Sequence, residues 1–571
     1  MPKKGRMRAD LNQFCQLKLI MAKFGSIIVK TVLIVGAIFV FLFVLLWKGY
    51  LLQVPTDEKI VSYFLPEASE IYTSDSVLLG KIYYENRKCV SIKSIPDSLI
   101  NCLIATEDNR FYEHNGVDLI GLMRVVVKTL LLDENSGGGS TITQQLVKNR
   151  YPRNSFENNI LVFHKIREWF SSMKMERLYS KNQILEQYLN KVPFGHNCFG
   201  IHTAANYYFN KTPSELRIEE AATLIGLLKG TSLYDPERNL DRCIERRNLV
   251  LSNMSRQGFL SNDQLKKAIE TELVLARKED REPTIAPFFL QHIKTKVHEI
   301  ISWKNENRDI HVDPYLDGLK IYTTIDSRVQ RHAENALKTH LNTLQKQFDA
   351  EWTPTRWEND KQTLIQLLKL KQYTGYRKVI SALQKGTPFS PELEVLLLGM
   401  KKELTRLHAG FTCIKNTGEV LAWVGGRDFR YSQYDHIKST RQVGSVFKPI
   451  VYVTAVDQGV GLCNYFKNGQ QSYSAFDGWE PRNASNNYQG EYTMKGALTY
   501  SLNVISVQVL FRAGLNDVLN VAGQMGISTN IPNVPSISLG TPDISLYEMV
   551  RAYTCFANDG NRVHTKYLKN I

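Results

Sequence analysis

No pair among the eight cysteines (Cys15, Cys89, Cys102, Cys198, Cys243, Cys413, Cys463 and Cys555) has Cys-x-x-Cys spacing, so metal binding through them is not expected. Nor does their spacing predict a disulfide, and buried free thiols are the expectation. Zinc-finger spacing and aromatic-basic RNA motifs are missing as well. The net charge of +15 therefore points away from nucleic acid and toward an anionic membrane surface or an anionic lipid. The chain has no internal repeat, no low-complexity tract and, beyond its first fifty residues, no long apolar run. Its glycine-rich stretch at Gly137–Gly139 is not closed by Gly-Lys-Ser or Gly-Lys-Thr, which excludes a nucleotide P-loop there.

What is present is an ordinary folded composition, 43% hydrophobic and 22% charged, over 571 residues. That length exceeds one core and requires two or more domains. Thr31 to Trp47 carries no charge. If Lys30 snorkels, the apolar run reaches back to Phe24, about 24 residues, enough to cross a bilayer core. Lys3, Lys4, Arg6, Arg8, Lys18, Lys23 and Lys30 precede it. The positive-inside rule then places residues 1–30 in the cytoplasm as a basic tail, with an anchor over 31–52 and everything beyond exported. A cleaved signal peptide fits less well, because no small-x-small site lies near Gly49–Pro55.

Gly137 to Asn149 reads Gly-Gly-Gly-Ser-Thr-Ile-Thr-Gln-Gln-Leu-Val-Lys-Asn. Helical periodicity groups Thr141, Gln144, Gln145 and Lys148 on one face and turns Ile142 and Leu146 elsewhere. A helix start with free backbone N–H groups, amides and an ammonium suits a phosphate or pyrophosphate. Around it, Leu65–Ile95 alternates like short strands and 96–247 is helical. Ser180 and Gln183 form a capping box ahead of Glu186. Residues 248–319 are expected to be a linker, and Lys320–Ile325 a strand opening a second domain. A Lys-rich helical insert covers 340–407. A hairpin follows, from Phe411–Lys415 through Asn416-Thr417-Gly418 to Glu419–Val424.

Three acidic sites, Glu107, Glu168 and Glu186, each look like solvated helix positions when taken singly. As an ordered set they resemble the peptidoglycan glycosyltransferase domain of class A penicillin-binding proteins. Glu107-Asp108-Asn109-Arg110-Phe111-Tyr112-Glu113-His114-Asn115-Gly116 matches that family's first motif, and Gly138–Asn149 its second in full. The third survives as His164-Lys165-Ile166-Arg167-Glu168, with histidine for the leading arginine, and the fourth as Lys181–Asn190. The resemblance implies a mainly α, lysozyme-like domain over 60–247 that joins the sugars of lipid II. Glu107 would be the general base, working from an apolar pocket that strengthens its basicity. Ser140, Thr141, Gln144 and Lys148 would hold the departing diphosphate. Glu168 would stabilise the same region beside Lys165 or Arg167, directly or through a divalent cation (magnesium or manganese), with no metal ligand set assigned. Asp108, His114, Gln145 and Asn149 complete the implied substrate-binding set, and Glu186 would brace the cleft.

Gly444-Ser445-Val446-Phe447-Lys448-Pro449 places Ser445 and Lys448 one helical turn apart, and Pro449 requires a helix start there. A buried lysine can lose its proton and activate the serine. With Ser501-Leu502-Asn503 and the stretch Ser538–Asn558, this resembles the penicillin-binding transpeptidase family, an α+β fold of the serine β-lactamase type. Lys448, Ser501 and Asn503 would be catalytic beside Ser445. The family's Lys-Thr-Gly element occurs nowhere in the sequence. The second domain, 320–571, is therefore expected to be a truncated transpeptidase with a missing sheet strand and doubtful cross-linking activity.

The reading is a single-pass inner-membrane glycosyltransferase that takes lipid II and nascent glycan strands. Its other expected partners are cell-wall synthesis and division or elongation proteins. A fully bifunctional enzyme and a non-catalytic cell-wall scaffold are the alternatives.

Overall fold

The computed structural model describes residues 30–48, 52–124, 139–153, 161–276, 285–308, 311–351, 376–386 and 405–571, with short pieces between 390 and 402. These form two compact units. One comprises the N-terminal residues to Ala68 with Tyr83–Glu282 and Tyr315–Gly318; the other comprises Ser69–Ile82, Pro283–Pro314 and Leu319–Ile571.

The first unit begins with α1 (Lys30–Lys48), whose mean hydropathy is 2.5. Its outward residues Val32 to Phe41 find no protein cover, as befits a helix solvated by lipid. Its last turn is tied down: Phe43 packs on Phe170 at 5.3 Å, and Lys174 and Arg177 lie over the Trp47 ring. The cytoplasmic tail expected over residues 1–29 lies outside the described residues.

The body of this unit is helical: α2 (Asp97–Glu107), α3 (Ile142–Arg150), α4 (Leu161–Leu178), α5 (Lys181–Lys191), α6 (Ile218–Leu227) and α7 (Leu240–Arg256). Apolar residues three or four apart, such as Leu99, Cys102 and Leu103 on α2 and Val250, Leu251 and Met254 on α7, bury their stripes in one core. The Ser180–Gln183 capping box starts α5 as its sequence implies.

Residues 248–319 are distributed differently from the expected linker. Helix α7 runs through the expected boundary, and α8 (Asn262–Glu270) buries Ala268 in the same core. The buried Arg247 guanidinium donates to the carbonyls of Ile269 and Thr271 at 2.9 and 2.8 Å, fastening the end of α8 to α7. Helix α9 (Pro287–Arg308) belongs to the second unit and buries Phe288, Phe289, Ile293 and Val297 there. Charged solvent faces on these short helices mask their apolar stripes in a composition reading.

The second unit contains a four-stranded sheet of β1 (Ser69–Tyr72), β2 (Leu78–Ile82), β3 (Lys320–Thr323) and a last strand Leu568–Asn570, ordered last strand-β3-β1-β2. Strands β1 and β3 run parallel, with Ile71 opposite Ile321. The hairpin at 69–82 thus leaves the first domain, where sequence order had placed it. Helix α10 (Ser327–Glu351) covers the start of the expected 340–407 insert, a further helix spans Tyr376–Lys385, and residues 352–375 lie outside the described residues.

The expected hairpin forms from β4 (Phe411–Ile414) and β5 (Val420–Val424). Gly418 turns it at φ +101, where a Cβ would meet the His564 carbonyl oxygen at 2.2 Å. Strand β6 (Thr440–Gln442) pairs with β7 (Asp543–Ser545). A helical core then packs α11 (Lys448–Asp457) against α12 (Asn503–Ala513), α13 (Leu515–Gln524) and α14 (Leu546–Ala557). The chain is thus an apolar helix, a mainly α unit and an α+β unit.

Candidate active sites

A cleft of about 640 Å³ in the first unit is lined by both expected glutamates, Glu107 and Glu168. Helix α2 ends at Glu107 because Asp108 leaves the helical conformation, with φ −159. The Asp108 carboxylate then accepts the Ile142 N–H at 3.0 Å, at the first turn of α3. It also accepts from His114 Nε2 at 3.0 Å, while His114 Nδ1 accepts the Gly116 N–H at 3.2 Å. Asp108 and His114 are buried and face away from the cleft, so they hold α3 against α2 rather than line the substrate space.

Thr141 is the N-cap of α3, accepting from the Gln144 N–H at 3.2 Å and donating to the Gly116 carbonyl at 2.7 Å. It too lies off the cleft. Gln144 lines the cleft with its Nε2 anchored on the Gly116 carbonyl at 3.3 Å, and its buried Oε1 has no partner. Gly116 is required at this junction: its φ is +89, and a Cβ would meet the Ser172 backbone at 2.7 Å.

Gln145 reaches the general-base candidate. Its Nε2 donates to Glu107 Oε2 at 2.8 Å, and its Oε1 accepts the Tyr188 hydroxyl at 2.8 Å. Arg246 lies 3.9 Å from the other Glu107 oxygen. The apolar pocket expected around Glu107 is thus replaced by an amide and a guanidinium.

Glu168, on α4, is almost fully buried. Arg153 engages its Oε1 at 2.7 and 3.0 Å, and Lys165 its Oε2 at 2.8 Å. Lys165 also donates to Ser140 Oγ at 2.8 Å. Of the two expected neighbours, Lys165 makes the ion pair, while Arg167 is buried off the cleft, donates to the Tyr151 carbonyl at 3.3 Å and acts on Glu168 electrostatically. Lys165 sits one helical turn before Glu168, the spacing at which side chains on a helix meet. Burial, reinforced by Arg167 and Arg153, lowers the His164 pKa below the ordinary histidine value. The histidine is therefore neutral near pH 7. Lys148 and Asn149 line the cleft, Lys148 exposed, and Glu186 braces the fold by accepting the Ile92 N–H at 2.7 Å.

Sequence reasoning missed Arg153, Tyr188, Lys229 and Arg246, all of which line the cleft. Tyr188 stands inside the fourth motif and was legible there; Arg246 lies in α7 with no local pattern to mark it. The donor set does not fit a divalent cation. Both Glu168 oxygens are occupied by cations, and among the described residues no three His, Cys, Asp or Glu side chains converge.

The second site forms at the start of α11. Gly444 has φ +59, a 3-10 turn carries Ser445, and Pro449 occupies the first turn of the helix. Lys448 is buried; its Nζ donates to the Ser501 carbonyl at 2.7 Å, Ser501 Oγ at 3.0 Å and Asn503 Oδ1 at 2.7 Å. Ser501 Oγ lies 3.0 Å from Ser445 Oγ. The two serines thus carry the expected Lys448–Ser445 link in two hydrogen bonds, with Ser501 held at φ +53. Burial lowers the Lys448 pKa to about 8. Asn503 Nδ2 donates to the Arg482 carbonyl at 2.8 Å, which fixes its side chain.

Residues 75–255 match the family model described as Transglycosylase, and residues 413–571 match the Penicillin binding protein transpeptidase domain. Each match contains one of the two sites. Over 568 residues the chain is 31% identical to penicillin-binding protein 1A of Rickettsia felis, covering 91% of this chain and 70% of that one. It is 31% identical over 567 residues to penicillin-binding protein 1A of Aquifex aeolicus, covering 94% and 76%. The crystal structure of penicillin-binding protein 1A from Haemophilus influenzae aligns with a TM-score of 0.53 at 20% identity, over 89% of this chain and 70% of that chain. That last likeness is one of fold.

Proposed function

The chain belongs to the class A penicillin-binding proteins, and on that footing we propose that its first unit polymerises lipid II into glycan strands with release of polyprenyl diphosphate. The observation that carries this reading is that Glu107 and the cationic group of Lys148, Arg153 and Lys165 line one cleft.

Glu107 accepts the proton of the attacking sugar hydroxyl. One of its oxygens is oriented by Gln145, and the other faces the cleft near Arg246. Negative charge develops on the leaving diphosphate at the same time. Arg153, Lys165 and the Ser140 hydroxyl, held in place around Glu168, receive it together with the exposed Lys148, the electrostatic part of the catalysis. Glu168 acts through Arg153 and Lys165, holding both cations where the diphosphate departs. Helix α1 keeps the cleft at the membrane that supplies the substrate, with the N-terminus in the cytoplasm and both units outside. Other cell-wall synthesis and division or elongation proteins are the expected partners.

In the second unit, Ser445 is the acyl-accepting nucleophile. A free Lys448 amine can receive its proton through Ser501. On the first reading this unit is acylated at Ser445 without effective cross-linking. The second reading, a polymerase that also cross-links, is favoured by the complete Ser445–Ser501–Lys448 relay.

The deciding experiment is lipid II polymerisation by the wild-type chain and by Glu107→Gln. Polymer from the wild type alone supports the proposal; an inactive wild type or a fully active variant overturns it. Acylation of Ser445 by a labelled penicillin, followed by a peptide cross-linking assay, separates the two readings of the second unit.

A further inference from the structure

Helix α12 begins without a local cap. Its N-cap position is Leu502, whose side chain packs against the core of the second unit and cannot accept a hydrogen bond. The acceptor comes instead from Asn483, in the loop between the paired strands Tyr465–Lys467 and Glu491–Thr493. Asn483 Oδ1 accepts the N–H of Asn503 at 2.9 Å and that of Val504 at 3.2 Å. The carbonyl of the preceding residue, Arg482, accepts the Asn503 side-chain amide. Consecutive loop residues thus hold Asn503 by its backbone and by its side chain.

Asn483 is itself fixed. It is 3% exposed, and its Nδ2 donates to Asn468 Oδ1 at 2.8 Å and to the Asn487 carbonyl at 2.9 Å. Asn468, 1% exposed, anchors its own amide on the carbonyls of Asn487 and Gln489 at 3.2 and 3.1 Å. Asn483 therefore uses both lone pairs and both N–H groups, and a rotated amide would set its NH2 against a pair of N–H donors. A buried polar network filled in this way specifies one geometry.

The acceptors of the Lys448 ammonium, which are the Ser501 carbonyl, Ser501 Oγ and Asn503 Oδ1, all lie in the segment that this network secures. We propose that Asn483 is a positioning residue for the acylation of Ser445. Acting through the start of α12, it holds Ser501 and Asn503 where Lys448 reaches them, and so aligns the proton path from Ser445. The inference rests on the reading of Ser445 as the acylated nucleophile.

The test follows acylation of the full chain in detergent by a labelled penicillin, with amide hydrogen exchange over residues 501–507 as a second readout. Asn483→Ala should slow acylation about tenfold or more and speed exchange of the Asn503 and Val504 amides about tenfold. Asn483→Asp keeps both acceptances, at a helix start that favours a carboxylate, and should recover most of the rate at high pH. Its charge stands across Asn503 from Lys448, whose own shift comes from burial. The midpoint of the pH–rate profile should therefore rise by about half a pH unit or more. A role confined to holding the helix would leave that midpoint in place. Thermal melts identify an unfolded Asn483→Ala chain, in which case the aspartate variant decides alone. Acylation of Asn483→Ala at the wild-type rate, unchanged exchange at 503–504, or an unmoved midpoint in Asn483→Asp overturns the proposal. A wild-type chain that penicillin does not acylate overturns the reading of Ser445 and the proposal with it, while the exchange measurement still shows whether Asn483 caps α12.

Discussion

Gln145 donates to Glu107 at 2.8 Å while its own carbonyl oxygen accepts the Tyr188 hydroxyl at 2.8 Å, so the orientation of the proposed general base is set by a side chain on a different helix. Replacing Gln145 by Ala should lower the rate of glycan polymerisation by roughly a hundredfold, because a base misplaced by about 1 Å loses that much. The melting temperature should move little, and Tyr188→Phe should lower the rate less. Chain-length analysis of lipid II products measures both variants; a Gln145→Ala enzyme at full rate would remove Gln145 from the account of Glu107.

Arg153 contacts a Glu168 carboxylate that is only 1% exposed. Its removal leaves that carboxylate its ion pair with Lys165 and takes one cation from the leaving-group side of the cleft. Arg153→Ala should therefore reduce kcat by about a hundredfold or more and destabilise the first unit by about 1–3 kcal/mol. Arg153→Lys should restore part of the stability and less of the rate, since a point charge cannot reproduce the two-nitrogen contact. Parallel thermal melts and turnover assays distinguish the two losses.

The proposed role of Lys448 makes the acylation of Ser445 pH-dependent. Burial holds its pKa near 8, below the ordinary lysine value of 10.5, and only the free amine can take a proton. The acylation rate with a labelled penicillin should accordingly rise with pH through about 8 and level off above it. For stability the sign is the same: burying the charged form is unfavourable, and that cost fades as pH rises through about 8 toward 10.5. Lys448→Ala should abolish acylation, and a flat pH–rate profile would show that another group serves as base.

Glu548 offers a stability test away from both sites. Burial alone would raise its pKa, but hydrogen bonds from Ser528, Thr529 and Ser545 outweigh it and bring the value to about 2. A depressed carboxylate stabilises the fold above its unfolded value of 4.5, and the contribution is lost as pH falls from there to about 2. Glu548→Gln should lower the melting temperature of the second unit at pH 7. The difference from wild type should shrink as the pH is taken below about 4. A constant difference across that range would assign the effect to shape rather than charge.

Much of both sites was legible in the linear order of residues. The glutamates Glu107 and Glu168, the glycine-led start of α3 and the spacing of Ser445 and Lys448 each lie in motifs short enough for local geometry to act. The roles of Asp108, His114 and Thr141 were less legible. Their residue types suit ligand binding as well as they suit a helix N-terminus, and only packing shows that they hold α3 in place. Arg246 could not be found, because it stands 139 positions beyond Glu107 on another helix.

By itself the sequence determined the apolar N-terminal helix, the helical character of the first unit, the hairpin at 411–424 and the residues proposed to carry out the chemistry. All of these follow from periodicity, turn chemistry and side-chain type within a few residues. Tertiary structure alone decided that the 69–82 hairpin joins a sheet with β3, that 248–270 belongs to the first core, and that Lys165 and Arg153, not Arg167, meet Glu168. It also decided that Ser501 stands between Ser445 and Lys448. Those outcomes depend on which faces of distant elements share one buried space, and side-chain sequence records the face but not its partner.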